Sequence, residues 1–384
     1  MTHVFIVGSK GIPAKYGGFE TFVENLTLRK KSPDLHYHVS CMGREETHFI
    51  HNGADCFSVR LPLKGAPGRI LHVAGALKRI EKWKSENPEK KAIVYILGCR
   101  IGPFMIPHAR KLHRLGISIF VNPDGLEWKR DKWNRLAKKF LKYCESCLVR
   151  NADLVICDSI HIEKYIQDTY PRTKGRTKYI AYGADIASSP LTDDSAEWKE
   201  WRERFCVRQG EYYLIVGRFV PENNYETMIT EFMKSKTKKD LVIVTNVEKN
   251  GFYLKLKDKT GFDRDKRVKF VGTVYDQNLL KKIRECAFAY LHGHEVGGTN
   301  PSLLEAMAGT KVNLLLDVGF NREVGGNGAL YWRKSKNDLA CLIEKIDGLS
   351  ADETRRLDKS STTRVKESYN WDKICGEYEK IFDT

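Results

Sequence analysis

The chain has 384 residues, 41% hydrophobic and 30% charged, which are globular values with length enough for two domains and two buried cores. Its 65 Lys and Arg outweigh 49 Asp and Glu, a formal net charge of +16. No apolar run approaches the ~18–20 residues of a membrane-spanning helix. Met1-Thr2-His3 leads straight into Val4–Val7 with neither the basic start nor the apolar stretch of a signal peptide, so the expectation is a soluble, strongly basic, cytoplasmic protein.

Strand and helix patterns alternate along the first half. Val4–Val7 is a short apolar strand, and the Gly8-Ser9-Lys10-Gly11 turn after it leads through Gly17-Gly18 into a helix. Arg69–Trp83, Phe104–Leu115 and Trp133–Val149 carry helical spacing, with buried strands expected at Ala92–Leu97, Ile117–Val121 and Leu154–Ile156. Such alternation predicts a doubly wound parallel sheet. Asp185–Lys199, rich in Ser, Asp and Ala, reads as a linker. A second run follows, with strands at Tyr212–Val216, Leu241–Val244, Val268–Val271, Phe288–Leu291 and Lys311–Leu316, and helices at Glu226–Met233, Leu279–Cys286 and from Pro301. The end, Ser368–Phe382, is helical, with Trp371, Ile374, Tyr378 and Ile381 on one stripe. The expected architecture is α/β: two Rossmann-like domains, over residues 1–185 and 200–367, facing each other across a ligand cleft, and a terminal helix over 368–384.

The charge is not spread evenly. Residues 1–185 hold 32 Lys and Arg against 18 Asp and Glu, a net of +14, while residues 186–384 hold 33 against 31, a net of +2. A basic first half predicts an anionic partner for that half, either nucleic acid or an anionic membrane surface. Trp133, Leu136, Phe140, Tyr143 and Cys147 fall near one face of their helix, and Lys132, Arg135, Lys138, Lys139 and Lys142 populate the others. That is the pattern of a helix lying on an anionic membrane, and equally of a packed helix with a solvated basic face. No interleaved aromatic–basic sheet motif, zinc module or recognition helix supports nucleic acid. The ten cysteines are irregularly spaced, and Cys144 and Cys147 share a helical face without a second pair to complete a metal site, so they read as packing residues.

Four stretches at strand ends carry candidate chemistry. In His294-Glu295-Val296-Gly297-Gly298-Thr299-Asn300-Pro301-Ser302-Leu303-Leu304-Glu305 the glycines let the backbone approach a ligand, Asn300 is a natural N-cap, and Pro301 fits the first helical position. Free N–H groups at such a helix start bind anions. Glu305, about one turn in, cannot face a phosphate but suits a ribose hydroxyl. The alternative for Ser302-x-x-Glu305 is a capping box, which Pro301 weakens by moving the cap to Asn300. Val216-Gly217-Arg218-Phe219-Val220-Pro221-Glu222-Asn223 sets an arginine directly after a strand, where its planar fork suits a diphosphate. Gly8–Glu20 is neither G-x-G-x-x-G nor a P-loop, which counts against a dinucleotide oxidoreductase and a P-loop NTPase. A long glycine-rich loop opening a helix still suits phosphate contact, with a mobile surface loop as the plain alternative. Asn122–Trp133 crowds carboxylates, aromatics and bases at a strand end like a carbohydrate-binding lip, with an Asp124-Gly125 tight turn as the simpler reading.

In this order, GSKGIPAKYGGFETFVE, NPDGLEWKRDKW, VICDS, VGRFVPENNYE and GGTNPSLLEAMA resemble glycosyltransferases of the GT-B architecture, family four, and within it the bacterial dTDP-rhamnosyltransferase (beta-1,4-rhamnosyltransferase) branch, over essentially the whole chain. The resemblance implies retaining transfer from a nucleoside-diphosphate sugar, best dTDP-rhamnose, to a polyprenyl-diphosphate-linked sugar in capsule or cell-wall polysaccharide synthesis. The enzyme would be peripheral at the cytoplasmic face of an anionic membrane, with no nucleic-acid partner. No metal or other cofactor is expected, since Arg218 and a helix N-terminus would stabilise the leaving diphosphate in its place. Arg218 would neutralise the donor diphosphate, with Asn223 beside it, and Glu305 would bind the ribose. Gly298, Thr299 and Asn300 would line the diphosphate and sugar, and Gly17 and Gly18 would close over them. Asp124 would be a base or orienter at the reacting centre, making Asp124 and Arg218 the catalytic expectations, with Glu127, Trp128, Lys129, Arg130 and Lys132 around the acceptor. Two positions depart from the family pattern: Gly297 stands where a first glutamate is usual, and Asn223 where a lysine often stands. Lys10 or Lys15 could then help to offset the diphosphate. A UDP-sugar donor is the alternative within this architecture, and a basic nucleic-acid-binding protein the alternative outside it.

Overall fold

A computed structural model describes residues 1–14, 17–43, 45–60, 65–130, 133–247 and 251–383. The chain divides into two compact units, Met1–Gly183 together with Trp371–Thr384, and Ala184–Asn370.

The first unit runs β1 (Thr2–Val7), α1 (Gly18–Leu28), β2 (Leu35–Gly43), β3 (His48–His51), β4 (Ala54–Arg60), α2 (Gly65–Glu86), β5 (Lys91–Leu97), α3 (Met105–Arg114), β6 (Ile117–Asn122), α4 (Arg135–Asn151), β7 (Leu154–Cys157), α5 (Ile160–Thr169) and β8 (Thr177–Tyr179). Among the described residues these strands form one sheet in the order β3-β4-β2-β1-β5-β6-β7-β8, with β3 antiparallel and the rest parallel. Helices cover both faces, so β1 and β5 read as nearly unbroken apolar runs and are buried along their length. Leu77 and Ile80 of α2 and Met105 and Leu112 of α3 close one core over Val94, Ile96, Ile119 and Val121.

The second unit runs α6 (Ala196–Phe205), β9 (Tyr212–Val216), α7 (Tyr225–Lys234), β10 (Asp240–Val244), α8 (Gly251–Thr260), β11 (Val268–Gly272), α9 (Gln277–Glu285), β12 (Ala289–His292), α10 (Pro301–Gly309), β13 (Asn313–Leu316), α11 (Gly319–Gly325), β14 (Leu330–Trp332), α12 (Asp338–Asp347) and α13 (Ala351–Ser368). Its parallel sheet has the order β11-β10-β9-β12-β13-β14. The segment read as a linker is irregular only in its first part, because α6 starts at Ala196 and buries Trp198 and Trp201. The last helix, α14 (Trp371–Phe382), starts after a break at Tyr369-Asn370, since α13 runs through to Ser368. It buries Trp371, Ile374, Tyr378 and Phe382 in the first unit, so Phe382 takes the stripe position assigned to Ile381. Glu379 fastens it there, accepting from the backbone N–H of Lys31 at 2.7 Å and Ser32 at 3.1 Å.

Each sheet has one point where its winding reverses, between β1 and β5 in the first unit and between β9 and β12 in the second. Loops leaving the carboxyl ends of strands at such a point are splayed apart, which makes it the usual ligand crevice of an open α/β sheet. No helix of the described residues is long and apolar enough to cross a membrane. One face of the first sheet carries a polar exception at the opposite strand ends, where His3 and His38 lie under α2. Burial, with His36 close by, lowers His3 to about 4 and His38 to about 3, so both rings are uncharged.

Candidate functional site

In the second unit, the loops after β9 and β12 meet at the reversal point. Gly217 follows β9, and a Cβ there would lie 3.1 Å from Cε1 of His294, so the two loops touch. Arg218 is exposed, and its guanidinium makes no hydrogen bond or ion pair among the described residues. Its carbonyl accepts from Nδ2 of buried Asn223 at 2.8 Å, which fixes the backbone that presents it. Asn300 caps α10, its side chain accepting from the backbone N–H of Ser302 at 2.9 Å and of Leu303 at 3.3 Å. Ser302 and Tyr290 both donate to the carbonyl of Val216 at 3.1 Å, tying α10 to the end of β9. The expected helix start with free N–H groups is thus corrected in part: the Ser302 and Leu303 amides are satisfied by the cap, and what α10 offers an anion is its dipole and the Gly298–Asn300 turn.

Glu305 takes no part in a capping box. Its Oε2 pairs at 2.6 Å with Nη2 of Arg284 on α9, whose side chain is only 4% exposed against 33% for Glu305. Glu295 is also engaged: Lys334 forms an ion pair with it, and Asn224 Nδ2 donates to its Oε2 at 3.3 Å. His292 is buried and stacked on His294 with ring centroids 4.3 Å apart, and burial drives its imidazole to the neutral form. Arg218, Asn223, Gly298, Thr299, Asn300 and Glu305 are therefore on two adjoining loops and one helix of the same unit.

In the first unit, α1 pins the long glycine loop with carboxylates. Glu20 Oε1 accepts from the Lys10 N–H and Glu24 Oε2 from the Ala14 N–H, both at 2.8 Å. Gly17 has φ 133°, and a Cβ on it would run into the Glu20 carboxylate, so glycine is required there. Phe19, next to Gly18, lies against Gly98 after β5, whose N–H donates to the Asn122 carbonyl at 2.9 Å.

Asp124 follows β6 with φ 64°, in the left-handed region. Its N–H donates to Asn122 Oδ1 at 2.9 Å, and its own Oδ1 accepts from the Gly125 N–H at 2.8 Å, so the tight turn is real and leaves the second carboxylate oxygen for other work. Asp124, Glu127 and Trp128 line one pocket with Cys99, Arg100 and Glu145. Its volume is about 20 Å³, too small to enclose more than a water-sized group. Glu127 is taken up by Trp133 Nε1 at 3.1 Å and by Arg130 at 2.8 Å, which makes Arg130 a brace of the lip, while Lys129 is exposed beside the Trp128 ring. Lys132 and Lys15 lie outside the described residues.

Sequence reasoning missed Glu145, which accepts from Lys142 at 2.9 Å, Tyr165 at 2.6 Å and Tyr170 at 2.8 Å and so builds the pocket wall. It also missed Arg284, which stands in a Lys-rich helix and looks like a surface charge. Only the fold turns it toward Glu305.

A family model described as a domain of unknown function (DUF1972) matches residues 1–185. An uncharacterized glycosyltransferase, MJ1069 of Methanocaldococcus jannaschii, is 24% identical over 256 residues, which is 65% of this chain and 63% of that relative. The match thus spans less than two thirds of the relative's length. Among solved structures, sucrose-phosphate synthase from Thermosynechococcus elongatus superposes with a TM-score of 0.75 at 16% identity, covering 100% of this chain and 98% of its own. Anabaena Alr3699/HepE, in complex with UDP and glucose, gives 0.73 at 14% identity, covering 100% and 99%. The chain has the GT-B glycosyltransferase fold, two Rossmann-like α/β domains with parallel sheets.

Proposed function

We propose that this chain is a retaining glycosyltransferase that moves L-rhamnose from dTDP-rhamnose onto a polyprenyl-diphosphate-linked sugar in capsule or cell-wall polysaccharide synthesis. The second unit takes the donor and the first the acceptor. One observation carries the reading: a guanidinium with no partner among the described residues, Arg218, and a carboxylate held in place, Glu305, sit on the two sides of one strand-order reversal. A cation suits a diphosphate, and a fixed carboxylate suits the vicinal hydroxyls of a ribose. The MJ1069 relative, named a glycosyltransferase, and HepE with its UDP and glucose support a nucleotide-sugar donor.

In the reaction, the bond from the anomeric carbon to the diphosphate oxygen breaks and its electron pair leaves with the diphosphate. Arg218 and the α10 dipole take up that charge. The acceptor hydroxyl attacks from the same face and gives its proton to the departing phosphate oxygen, so configuration is retained. Asp124 orients the acceptor, with Glu127, Trp128 and Lys129 around it. The reading gives no metal a part in this step. Turnover abolished by a chelator and restored by Mg²⁺ would overturn that point.

The first unit's basicity is assigned to an anionic membrane surface, not to nucleic acid. Leu136, Phe140 and Tyr143 of α4 are 79%, 47% and 53% exposed, and exposed Arg135 and Lys139 flank them. An apolar strip bordered by cations suits the headgroup boundary of a bilayer.

The UDP in HepE favours one second reading, a UDP-sugar donor. A thermal-shift panel of dTDP-rhamnose, UDP-glucose and UDP-N-acetylglucosamine separates the two. Stabilisation by dTDP-rhamnose supports the first, stabilisation by a UDP-sugar alone moves the assignment to the second, and none by any sugar nucleotide defeats both.

A further inference from the structure

The register of the first unit's sheet brings an imidazole cluster together. His3 of β1 is paired with His36 of β2, and His38 of β2 with Asp55 of β4. His36 and His38 are two residues apart, so their side chains share a face, and the pairing puts His3 and Asp55 on it as well. His48 reaches the same carboxylate from β3. These are the amino-terminal ends of β1, β2 and β4, whereas the Arg218 and Asp124 loops leave carboxyl ends.

The distances do not describe a simple hydrogen-bonded cluster. His36 Nε2 lies 2.6 Å from Asp55 Oδ2, a normal charge-assisted bond. His38 Nδ1 lies 3.5 Å from the same oxygen, and His48 Nε2 lies 3.7 Å from Asp55 Oδ1. Both exceed the ~2.7–3.2 Å of an N–H···O bond. They approach the ~3.4 Å edge of a tetrahedron whose centre is ~2.1 Å from each ligand, the Zn–N and Zn–O bond length. Meanwhile His38 Nε2 is 2.9 Å from His3 Nδ1. The His38 ring is thus held at Nε2 by His3 while its Nδ1 faces the Asp55 carboxylate. A ligating imidazole characteristically has its other nitrogen held in this way.

We propose that His36 Nε2, His38 Nδ1 and the Asp55 carboxylate, whose ligand atoms lie within 4.8 Å of one another, bind one Zn²⁺ ion with water completing its shell, and that His3 is the positioning residue that fixes the His38 ring. Two imidazoles and a carboxylate are a borderline donor set that selects zinc over Mg²⁺ or Ca²⁺. Asp55 is 25% exposed, His36 31% and His48 59%, so the ion has a way in. Lying at the strand ends opposite to the one that carries the Asp124 loop, it acts as a clip joining β2 and β4.

The test is a Zn²⁺ titration of the chelator-stripped full-length protein against a chromophoric chelator, repeated with Co²⁺ for its visible spectrum. One equivalent should bind, with a tetrahedral cobalt spectrum and a raised melting temperature. H36Q changes the most exposed of the three ligands and should abolish that spectrum while keeping the native circular dichroism. H3Q should weaken Zn²⁺ binding on the order of 10–100-fold, as loss of a partner to a ligand does. Zn²⁺ binding no tighter in the stripped wild type than in H36Q would overturn the proposal, as would an octahedral cobalt spectrum.

Discussion

Arg284 and Glu305 form a 2.6 Å ion pair in which the arginine is almost wholly buried and the carboxylate one-third exposed. The pair converts a flexible side chain at the reversal point into one with a fixed orientation, leaving its second oxygen for a ligand. It also separates two effects that a single substitution would mix. Glu305→Ala strands a buried guanidinium and should cost about 3 kcal/mol, the low end for breaking a buried pair because Glu305 is partly solvated. Glu305→Gln keeps a hydrogen-bond acceptor for Arg284 and should fold normally while weakening donor binding roughly tenfold, the loss of a charge-assisted bond. Urea unfolding and donor titration on both variants check this. Unchanged donor affinity in Glu305→Gln would remove the ribose assignment.

Arg218 gives the opposite pattern, since it is exposed and unpaired among the described residues. Arg218→Ala should leave the unfolding free energy within about 0.5 kcal/mol of the parent. It should lower kcat by about 10²–10³, the scale for removing one group that stabilises a developing anion. Near-normal turnover would defeat the diphosphate assignment.

Which parts of this were legible in sequence follows from where the polar groups go. β1, β5, β6 and β9 are covered on both faces and show as apolar runs. β2, with His36, His38 and Ser40 inside it, does not, because His38 and Ser40 are buried and His36 is only partly exposed. The β3–β4 hairpin was signalled by Asn52-Gly53, both at positive φ, within an alternation broken by histidines. α13 is so polar that only Ser361 and Val365 are buried. Its Ser361 is held by donating to the Met307 carbonyl at 2.8 Å, a tertiary contact no periodicity reveals. At the site, Arg218 and Asn300 were readable because strand ends and caps are local features. The Arg284–Glu305 and Glu145 partnerships join residues 20 or more positions apart and were not.

Asp124 holds φ 64° and supplies one carboxylate oxygen to its own turn. Asn tolerates the left-handed region and can make the same hydrogen bond, so Asp124→Asn should fold as the parent does. If the carboxylate orients or deprotonates the acceptor, turnover should fall by about 10²-fold or more with donor affinity unchanged. A loss confined to donor binding would place Asp124 outside the acceptor site.

Glu24 makes the glycine loop's anchoring pH-dependent. Burial raises its pKa, but hydrogen bonds from His51, the Ala14 N–H and Asn52 outweigh that and bring it below the ordinary 4.5. A carboxyl group depressed in the folded state contributes stability that is complete above its unfolded value and is lost as pH falls through the folded one. The melting temperature should therefore drop on acidification below about pH 4.5, and Glu24→Gln should lower it at neutral pH and flatten that acid limb. Parallel acid limbs in the two proteins would assign the effect to other carboxylates.

The exposed strip on α4 decides what the first unit's charge is for. Arg135, Leu136, Lys139, Phe140 and Tyr143 span roughly 140° of the helix at 100° per residue, and all five are exposed. Cys144, Cys147 and Leu148 fix the helix to its own unit. Leu136→Ser/Phe140→Ser removes apolar area that water already touches, so stability should change little. Binding to vesicles containing anionic lipid should weaken, by about 1 kcal/mol or more for each side chain that inserts, at ~25 cal/mol per Å². Lys139→Glu with Arg135→Glu should lose binding to anionic vesicles while leaving the weak affinity for neutral ones unchanged, and added salt should mimic it in the parent. Equal binding of the parent to neutral and anionic vesicles, insensitive to salt, would sever the +14 charge from the membrane. A parent that retains duplex DNA but ignores both vesicle types would return that charge to nucleic acid.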